Sequence, residues 1–154
     1  MAGSQSGAVY LGLPVFAWCV LLAFGLQWLA FVPAYLRQTE KFYDLTGSLS
    51  YISVICVAMW MSGQTDGRSL LLAAMIIIWA LRLGAFLFLR ILADGSDSRF
   101  DKIKPRPIAF LATWSLQGLW VTVTAGCALA AITAETVKPL TLLDMPGMAL
   151  WLLG

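Results

Sequence analysis

The chain has 154 residues, of which 60% are hydrophobic and 12% charged, and its formal net charge is +2. A soluble domain carries about twice that share of charged residues, so the composition excludes an ordinary soluble protein, and the small net charge argues against a nucleic-acid partner. Three cysteines lie far apart in apolar runs and histidine is absent, which argues against a Cys/His metal site. We therefore expect an all-α, polytopic membrane helix bundle whose main partner is the lipid bilayer.

Four apolar stretches are long enough to cross a bilayer, which takes roughly 20 residues in a helix. They run over about 8–36, 47–63, 69–92 and 107–132. The first would be roughly 43 Å long as a helix and would have to tilt or protrude. A fifth apolar stretch covers 145–154 and is too short to span. The sequence thus predicts four complete transmembrane helices plus the start of a fifth, in one membrane domain that we expect to be the N-terminal part of a longer protein with a missing C-terminal half.

The basic residues of the loops are distributed unevenly between the two sides. The 63–69 and 133–144 loops, on the side of the N-terminus, carry Arg68 and Lys138. The 37–46 and 93–106 loops carry more, namely Arg37, Lys41, Arg99, Lys102, Lys104 and Arg106. The positive-inside rule predicts that the 37–46 and 93–106 loops are cytoplasmic and that the N-terminus is outside.

Arg82 lies in the middle of the third span, in the segment IIIWALRLGAFLFLR that ends at Arg90. A central arginine costs from about 2.5 to well above 10 kcal/mol, so we expect Arg82 to face the bundle interior, a carboxylate or a bound anion. The alternative for Arg82 is that its side chain extends to the membrane–water interface, as long basic side chains often do. For Arg90, which is closer to that interface, this is the simpler explanation. The two are about 80° apart around a helix, so both could point into one groove.

The fourth span carries a polar stripe, Thr113, Gln117, Trp120 and Thr124, at spacings that place these residues on one helical face. Such a face should meet other helices or a wet cavity rather than lipid. We interpret Thr113, Gln117 and Trp120 as candidate substrate-binding residues. Interhelical hydrogen bonds of modest strength are the alternative.

The two basic loops contain further candidates. Asp44, Thr46 and Ser48 are suitable N-caps for the second span, although a helix N-terminus at 46–48 could instead receive a phosphate. The 94–107 loop, with Arg99 among its mixed charges, could meet the phosphates of a soluble nucleotide or simply be a solvated loop.

Three stretches together resemble a known family. Residues 39–51 read TEKFYDLTGSLSY, residues 79–101 read WALRLGAFLFLRILADGSDSRFD, and residues 114–120 read WSLQGLW. They resemble the DUF1295 family, which belongs with the membrane-bound steroid 5-alpha-reductase-like proteins. The resemblance covers roughly 39–123.

The resemblance implies a multi-helix membrane oxidoreductase that takes NADPH from the cytoplasmic side. Hydride would go to a carbon–carbon double bond conjugated to a carbonyl, in a steroid-like or other lipid substrate. Arg82, Arg90 and Arg99 are then the candidate cofactor-binding residues. Steroid reductases of the wider group use a Glu and a Tyr near the substrate carbonyl, but the resemblance carries over no catalytic residue to this chain. Glu40 and Tyr43 of the 37–46 loop are candidate proton donors.

The family's best-marked nucleotide motif would follow Gly154, so we expect this 154-residue chain to lack activity by itself. The alternative to the reductase is a non-catalytic polytopic membrane protein, either transporter-like or an assembly factor, in which Arg82 belongs to a structural ion pair.

Overall fold

The computed structural model describes residues 7–136 and 139–154 and is nearly all helix. Its helices are α1 Val15–Leu36, α2 Tyr43–Ser62, α3 Gly67–Asp94, α4 Pro107–Ile132 and α5 Asp144–Leu153, with a 3-10 turn at Ser98–Phe100. Helices α1 to α4 are each long and apolar enough to cross a membrane, whereas α5 has 10 residues. The chain is a multi-pass integral membrane protein, as predicted.

Helix α2 lies at the centre of the bundle and contacts α1, α3 and α4, while α1 also packs along α4. Several of its buried positions are small, among them Gly47, Ser48 and Ala58. A Cβ atom at Gly84 of α3 would lie 2.6 Å from the Ser48 hydroxyl oxygen. Small residues at this contact let the α2 and α3 backbones approach closely, which is typical of helix packing in membranes.

The first helix begins later than predicted, because residues 9–14 form a small antiparallel hairpin with strands β1 Val9–Tyr10 and β2 Leu13–Pro14. Leu11 and Gly12 make its turn with φ of 49° and 82°, a left-handed pair that suits a two-residue hairpin loop. Pro14 disfavours helix in the residue before it, so α1 starts at Val15. Its 22 residues span about 33 Å, so the tilt expected for a longer first span is not needed.

Helix α2 begins four residues before the predicted second span, with Phe42 at its N-cap position. Asp44, Thr46 and Ser48 are therefore inside the helix, and the expectation that they cap it is wrong. The Thr46 hydroxyl donates to the Phe42 carbonyl at 2.7 Å, and Ser48 is buried. The first turn forms because the Tyr43 ring packs edge-on against Trp114, with ring centroids 5.1 Å apart.

Helices α3 and α4 follow the predicted spans closely. Helix α3 extends the predicted 69–92 by two residues at each end, and the Asp66 carboxylate caps it by accepting from Ser69 N at 3.1 Å. Helix α4 has the bounds of the predicted 107–132, with Pro107 in its first turn.

The loops gather at two opposite ends of the bundle. At the hairpin end, Ala8 N donates to the Thr133 carbonyl and the Gln64 amide donates to the Ala134 carbonyl. At the other end, which we call the loop end, the 37–42 and 95–106 segments meet through Glu40 and Asp97. The predicted alternation of loops fits this arrangement, whereas the cytoplasmic assignment of the loop end stays a prediction. Lys138, which was counted toward that prediction, lies outside the described residues.

Candidate functional site

Glu40 ties the two segments of the loop end together. Its side chain is almost fully buried, and its two carboxylate oxygens accept from Lys104 Nζ at 2.7 Å and from Asp97 N at 2.8 Å. Burial alone would raise the pKa of Glu40, but the hydrogen bonds from Lys104 and from the Asp97 amide outweigh it and lower the pKa. The same hydrogen bond raises the pKa of Lys104. The pair fixes the 95–106 segment against the start of α2.

A cavity of about 300 Å³ opens beside this clamp at the loop end. It is lined by residues from the end of α3 and the following turn, namely Arg90, Ile91, Asp94, Ser96, Asp97, Ser98 and Arg99. Two of the three predicted cofactor residues, Arg90 and Arg99, thus line one cavity. Arg82 does not line it.

Both arginines of the cavity have carboxylate neighbours. Arg99 Nε donates to the two carboxylate oxygens of Asp97 at 3.0 and 2.9 Å, which lowers the pKa of Asp97. Arg90 Nη2 lies 3.9 Å from Asp44 Oδ2, an ion pair that the sequence analysis missed because it placed Asp44 before the helix. The Arg99 side chain is 70% exposed and that of Arg90 is 42% exposed, so both guanidinium groups have donors facing solvent.

The chemistry of the cavity suits part of a nucleotide. Guanidinium groups bind phosphate oxygens in a fork geometry, and carboxylates or serine hydroxyls can accept from ribose hydroxyls, as an acidic residue does in dinucleotide-binding folds. Its 300 Å³ is at the lower limit of about 300–1,000 Å³ for small-molecule pockets. Arg90, Arg99, Ser96 and Ser98 are thus the residues that could hold one ribose–phosphate unit of a nucleotide, and the cavity is too small for a whole dinucleotide.

Arg82 lies on the exposed side of α3, which differs from the inward orientation we expected. The buried residues Ala80 and Gly84 face α2. Arg82 is two residues from each of them, a rotation of about 200° around the helix, so it points away from α2. Arg82 Nη2 donates to the carbonyl oxygen of Gly154 at 3.2 Å. Eight residues separate Arg82 from Arg90, about 12 Å along the helix.

The polar stripe of α4 faces α2. The Tyr43 hydroxyl donates to the Thr113 carbonyl at 3.0 Å, and the Gln117 amide nitrogen donates to the Tyr43 carbonyl at 3.2 Å. The third contact joins the hydroxyls of Tyr51 and Thr124. The side chains of Gln117 and Thr124 thus make hydrogen bonds between helices, as the alternative interpretation of the stripe predicted. Thr113 contributes only its backbone carbonyl, because its hydroxyl donates to the Ala109 carbonyl of its own helix.

Trp120 is the member of the stripe that does not join this contact. Its side chain is 64% exposed on the outer surface of α4. The other two substrate-binding candidates, Thr113 and Gln117, lie at the α2–α4 contact, so the structure does not bring all three to one cavity.

The two guessed proton donors are already engaged. The Glu40 carboxylate holds Lys104 and the Asp97 amide, and the Tyr43 hydroxyl holds the Thr113 carbonyl. Both therefore act in packing in this structure.

Sequence reasoning missed a second cavity, of about 240 Å³, that lies within the membrane-spanning part of the bundle. Its lining comes from four helices and consists of Tyr51, Ile76, Trp79, Thr124, Ala125 and Trp151.

Comparisons with known proteins give one match. The model of a family described as a protein of unknown function (DUF1295) matches residues 30–154. No curated protein and no solved structure shows significant similarity to the chain. The family match covers most of the sequence and includes all three stretches that carried the resemblance, so the chain belongs to the DUF1295 family.

Proposed function

We propose that this chain is part of a membrane-embedded, NADPH-dependent reductase that acts on a conjugated carbon–carbon double bond of a steroid-like or other lipid. The observation that carries the proposal is the loop-end cavity, where Arg90 and Arg99 line one space together with hydroxyl and carboxylate groups. The resemblance to steroid 5-alpha-reductase-like proteins supports the reaction class.

Each side chain of the cavity has a specific role in this proposal. Arg90 and Arg99 bind phosphate oxygens through their solvent-facing donors, while Ser96 and Ser98 face the adjoining ribose. NADPH, when bound, supplies the hydride. The Glu40–Lys104 clamp orients the 95–106 segment and does not touch the nucleotide. The cofactor role predicted for Arg82 is not part of this proposal, because Arg82 does not line the loop-end cavity.

The lipid substrate reaches the protein from the bilayer. Of the candidate substrate residues, Trp120 is exposed on α4 and can contact an apolar ligand directly. Thr113 and Gln117 act indirectly, because they set the distance between α4 and α2 through their contacts with Tyr43.

Equilibrium binding of NADPH to the purified 154-residue chain in detergent tests the proposal without requiring turnover. Nicotinamide fluorescence should show saturable binding to the wild-type protein. Arg90→Leu and Arg99→Leu should each weaken binding by roughly tenfold or more, since a hydrogen bond to a charged group contributes about 1.5–3 kcal/mol. Arg106→Leu is the matched control, because Arg106 is exposed at the loop end and does not line the cavity. Equal affinities in all four proteins, or no saturable binding, would contradict the proposal.

A non-catalytic membrane protein is the second candidate function. It is favoured by the pairing of Arg90 with Asp44 and of Arg99 with Asp97, which compensates both charges inside the chain. In that case the arginines stabilise the loop end. The Leu variants would then lower the thermal unfolding midpoint in detergent, and the wild-type protein would not bind NADPH.

A further inference from the structure

The second cavity, lined by residues of α2 to α5 and called here the membrane-depth cavity, has one polar feature in an otherwise apolar wall. Ile76, Trp79, Ala125 and Trp151 give carbon surface, and the hydroxyls of Tyr51 and Thr124 are joined to each other at the wall. Tyr51 lies near the middle of α2, and its ring stands edge-on to Trp79 with centroids 5.1 Å apart. The hydroxyl pair is thus held in place between helices, near the middle of α2 and α3.

The direction of these hydrogen bonds can be assigned from the acceptors present. Thr124 Oγ1 lies 2.7 Å from the Trp120 carbonyl oxygen, and a carbonyl can only accept, so the Thr124 proton points there. Tyr51 must then donate its proton to Thr124. The Tyr51 oxygen keeps an acceptor lone pair and has no proton left to offer.

We propose that this cavity binds a membrane lipid that carries a hydroxyl group on an apolar skeleton, with the lipid O–H donating to the Tyr51 oxygen. A lipid carbonyl fits worse, because it needs a proton that Tyr51 already gives to Thr124. Satisfying a polar group in hydrocarbon is worth more than the same contact in water, since no water competes.

The size and position of the cavity suit a lipid. An apolar cavity of about 150 Å³ holds benzene, and this one is larger at 240 Å³. Helix α3 packs mainly on α2, whereas α4 packs mainly on α1, and α3 and α4 make little contact with each other. This leaves the cavity partly open beside Trp151 of α5. A ring or chain segment carrying the hydroxyl occupies the cavity, and the rest of the lipid extends through the opening into the bilayer.

This inference does not depend on nucleotide binding. The loop-end cavity and the membrane-depth cavity share no lining residue, so either site can fail its test while the other passes.

Two photoreactive probes test the inference: a diazirine-bearing fused-ring alcohol, and the ketone made by oxidising its single hydroxyl. Each is titrated onto the purified chain in detergent, and crosslinked peptides are mapped. The alcohol should bind several-fold more tightly than the ketone and should label peptides that contain the cavity residues. Tyr51→Phe keeps the ring against Trp79 and should weaken alcohol binding about fivefold, as expected for one hydrogen bond.

Thr124→Val gives the sharper test, because it frees the Tyr51 proton without changing the shape of the side chain. The ketone should then bind better than it does to wild type, and the preference for the alcohol should shrink or reverse. Thr122→Val is the matched control, since the Thr122 hydroxyl bonds to the Gly118 carbonyl of its own helix and does not line the cavity. An equal preference in all variants that elute as monodisperse protein, a wild-type preference for the ketone, or crosslinks elsewhere would overturn the inference.

Discussion

Gln117 lies so close to Gly47 that a Cβ atom at position 47 would stand 2.2 Å from Gln117 Nε2. The same nitrogen donates to the Tyr43 carbonyl at 3.2 Å. The missing side chain of Gly47 therefore lets a glutamine of α4 reach the backbone of α2. This contact sets the distance between the two helices.

Gly47→Ala should destabilise the protein because its methyl group collides with the Gln117 amide. The clash falls on the end of a flexible side chain, so its cost should lie at the lower end of the about 1–3 kcal/mol typical of overpacking. The thermal unfolding midpoint in detergent should fall, and Gly47→Ala combined with Gln117→Ala should recover most of the loss. Gly126→Ala is the control, because nothing lies within 4 Å of a Cβ there. An unchanged midpoint for Gly47→Ala relative to Gly126→Ala would show that the Gln117 side chain moves aside without cost and does not set the distance between the helices.

The positions of the four spans could be predicted from the sequence, because hydrocarbon admits only long apolar segments whose backbone groups are satisfied internally. Helix ends were less predictable where contacts distant in sequence decide them. Ala8 pairs with Thr133 and holds the hairpin before α1, and Tyr43 packs on Trp114 and extends α2. Neither contact has a local signal.

The sequence predicted which polar residues share a helix face, but it did not predict which neighbouring helix covers that face. Spacing alone placed Thr113, Gln117 and Thr124 on one face of α4, but it could not show that α2 covers that face. The exposed orientation of Arg82 follows from Ala80 and Gly84 facing α2. The third span has apolar residues on every side, so the sequence does not reveal that Ala80 and Gly84 are the residues that contact α2.

The Glu40–Lys104 pair should give stability that depends on pH at both extremes. The pKa of Glu40 is lowered in the fold, so its contribution is present above the ordinary carboxyl pKa and is lost as pH falls through the lowered value. The pKa of Lys104 is raised, so its contribution is present below the ordinary lysine pKa and is lost as pH rises through the raised value. The unfolding midpoint should be highest between about pH 5 and 10.

In Glu40→Gln the unfolding midpoint should fall less steeply as the pH is lowered. In Lys104→Met it should fall less steeply as the pH is raised. Asp101→Asn provides the control, because Asp101 also lies near Lys104 but its side chain is 61% exposed and exposed pairs contribute little. If the Glu40→Gln profile keeps the wild-type acid limb, other groups hold the loop end together.

Arg82→Leu should increase the fraction of chain inserted into membranes, because an arginine at mid-helix opposes insertion by about 2.5–3.5 kcal/mol. NADPH affinity should not change, since Arg82 lies away from the loop-end cavity. Glycosylation-site reporters measure insertion, and nicotinamide fluorescence measures affinity, with Arg90→Leu compared in both assays. A loss of affinity equal to that of Arg90→Leu would place the nucleotide against the middle of α3 instead.

We expect the loop end to face the cytoplasm and to receive NADPH, and one labelling experiment tests both expectations. Ser96 is exposed and lines the loop-end cavity, so Ser96→Cys is introduced after Cys19, Cys56 and Cys127 are replaced by alanine. Thr65→Cys, at the exposed turn of the hairpin end, is the control. A membrane-impermeant maleimide is applied to inside-out and right-side-out vesicles.

We expect one labelling pattern: Ser96→Cys is labelled in inside-out vesicles only, Thr65→Cys is labelled in right-side-out vesicles only, and NADPH slows the first reaction several-fold without affecting the second. Labelling of Ser96→Cys only in right-side-out vesicles, or a rate that NADPH leaves unchanged, would contradict it.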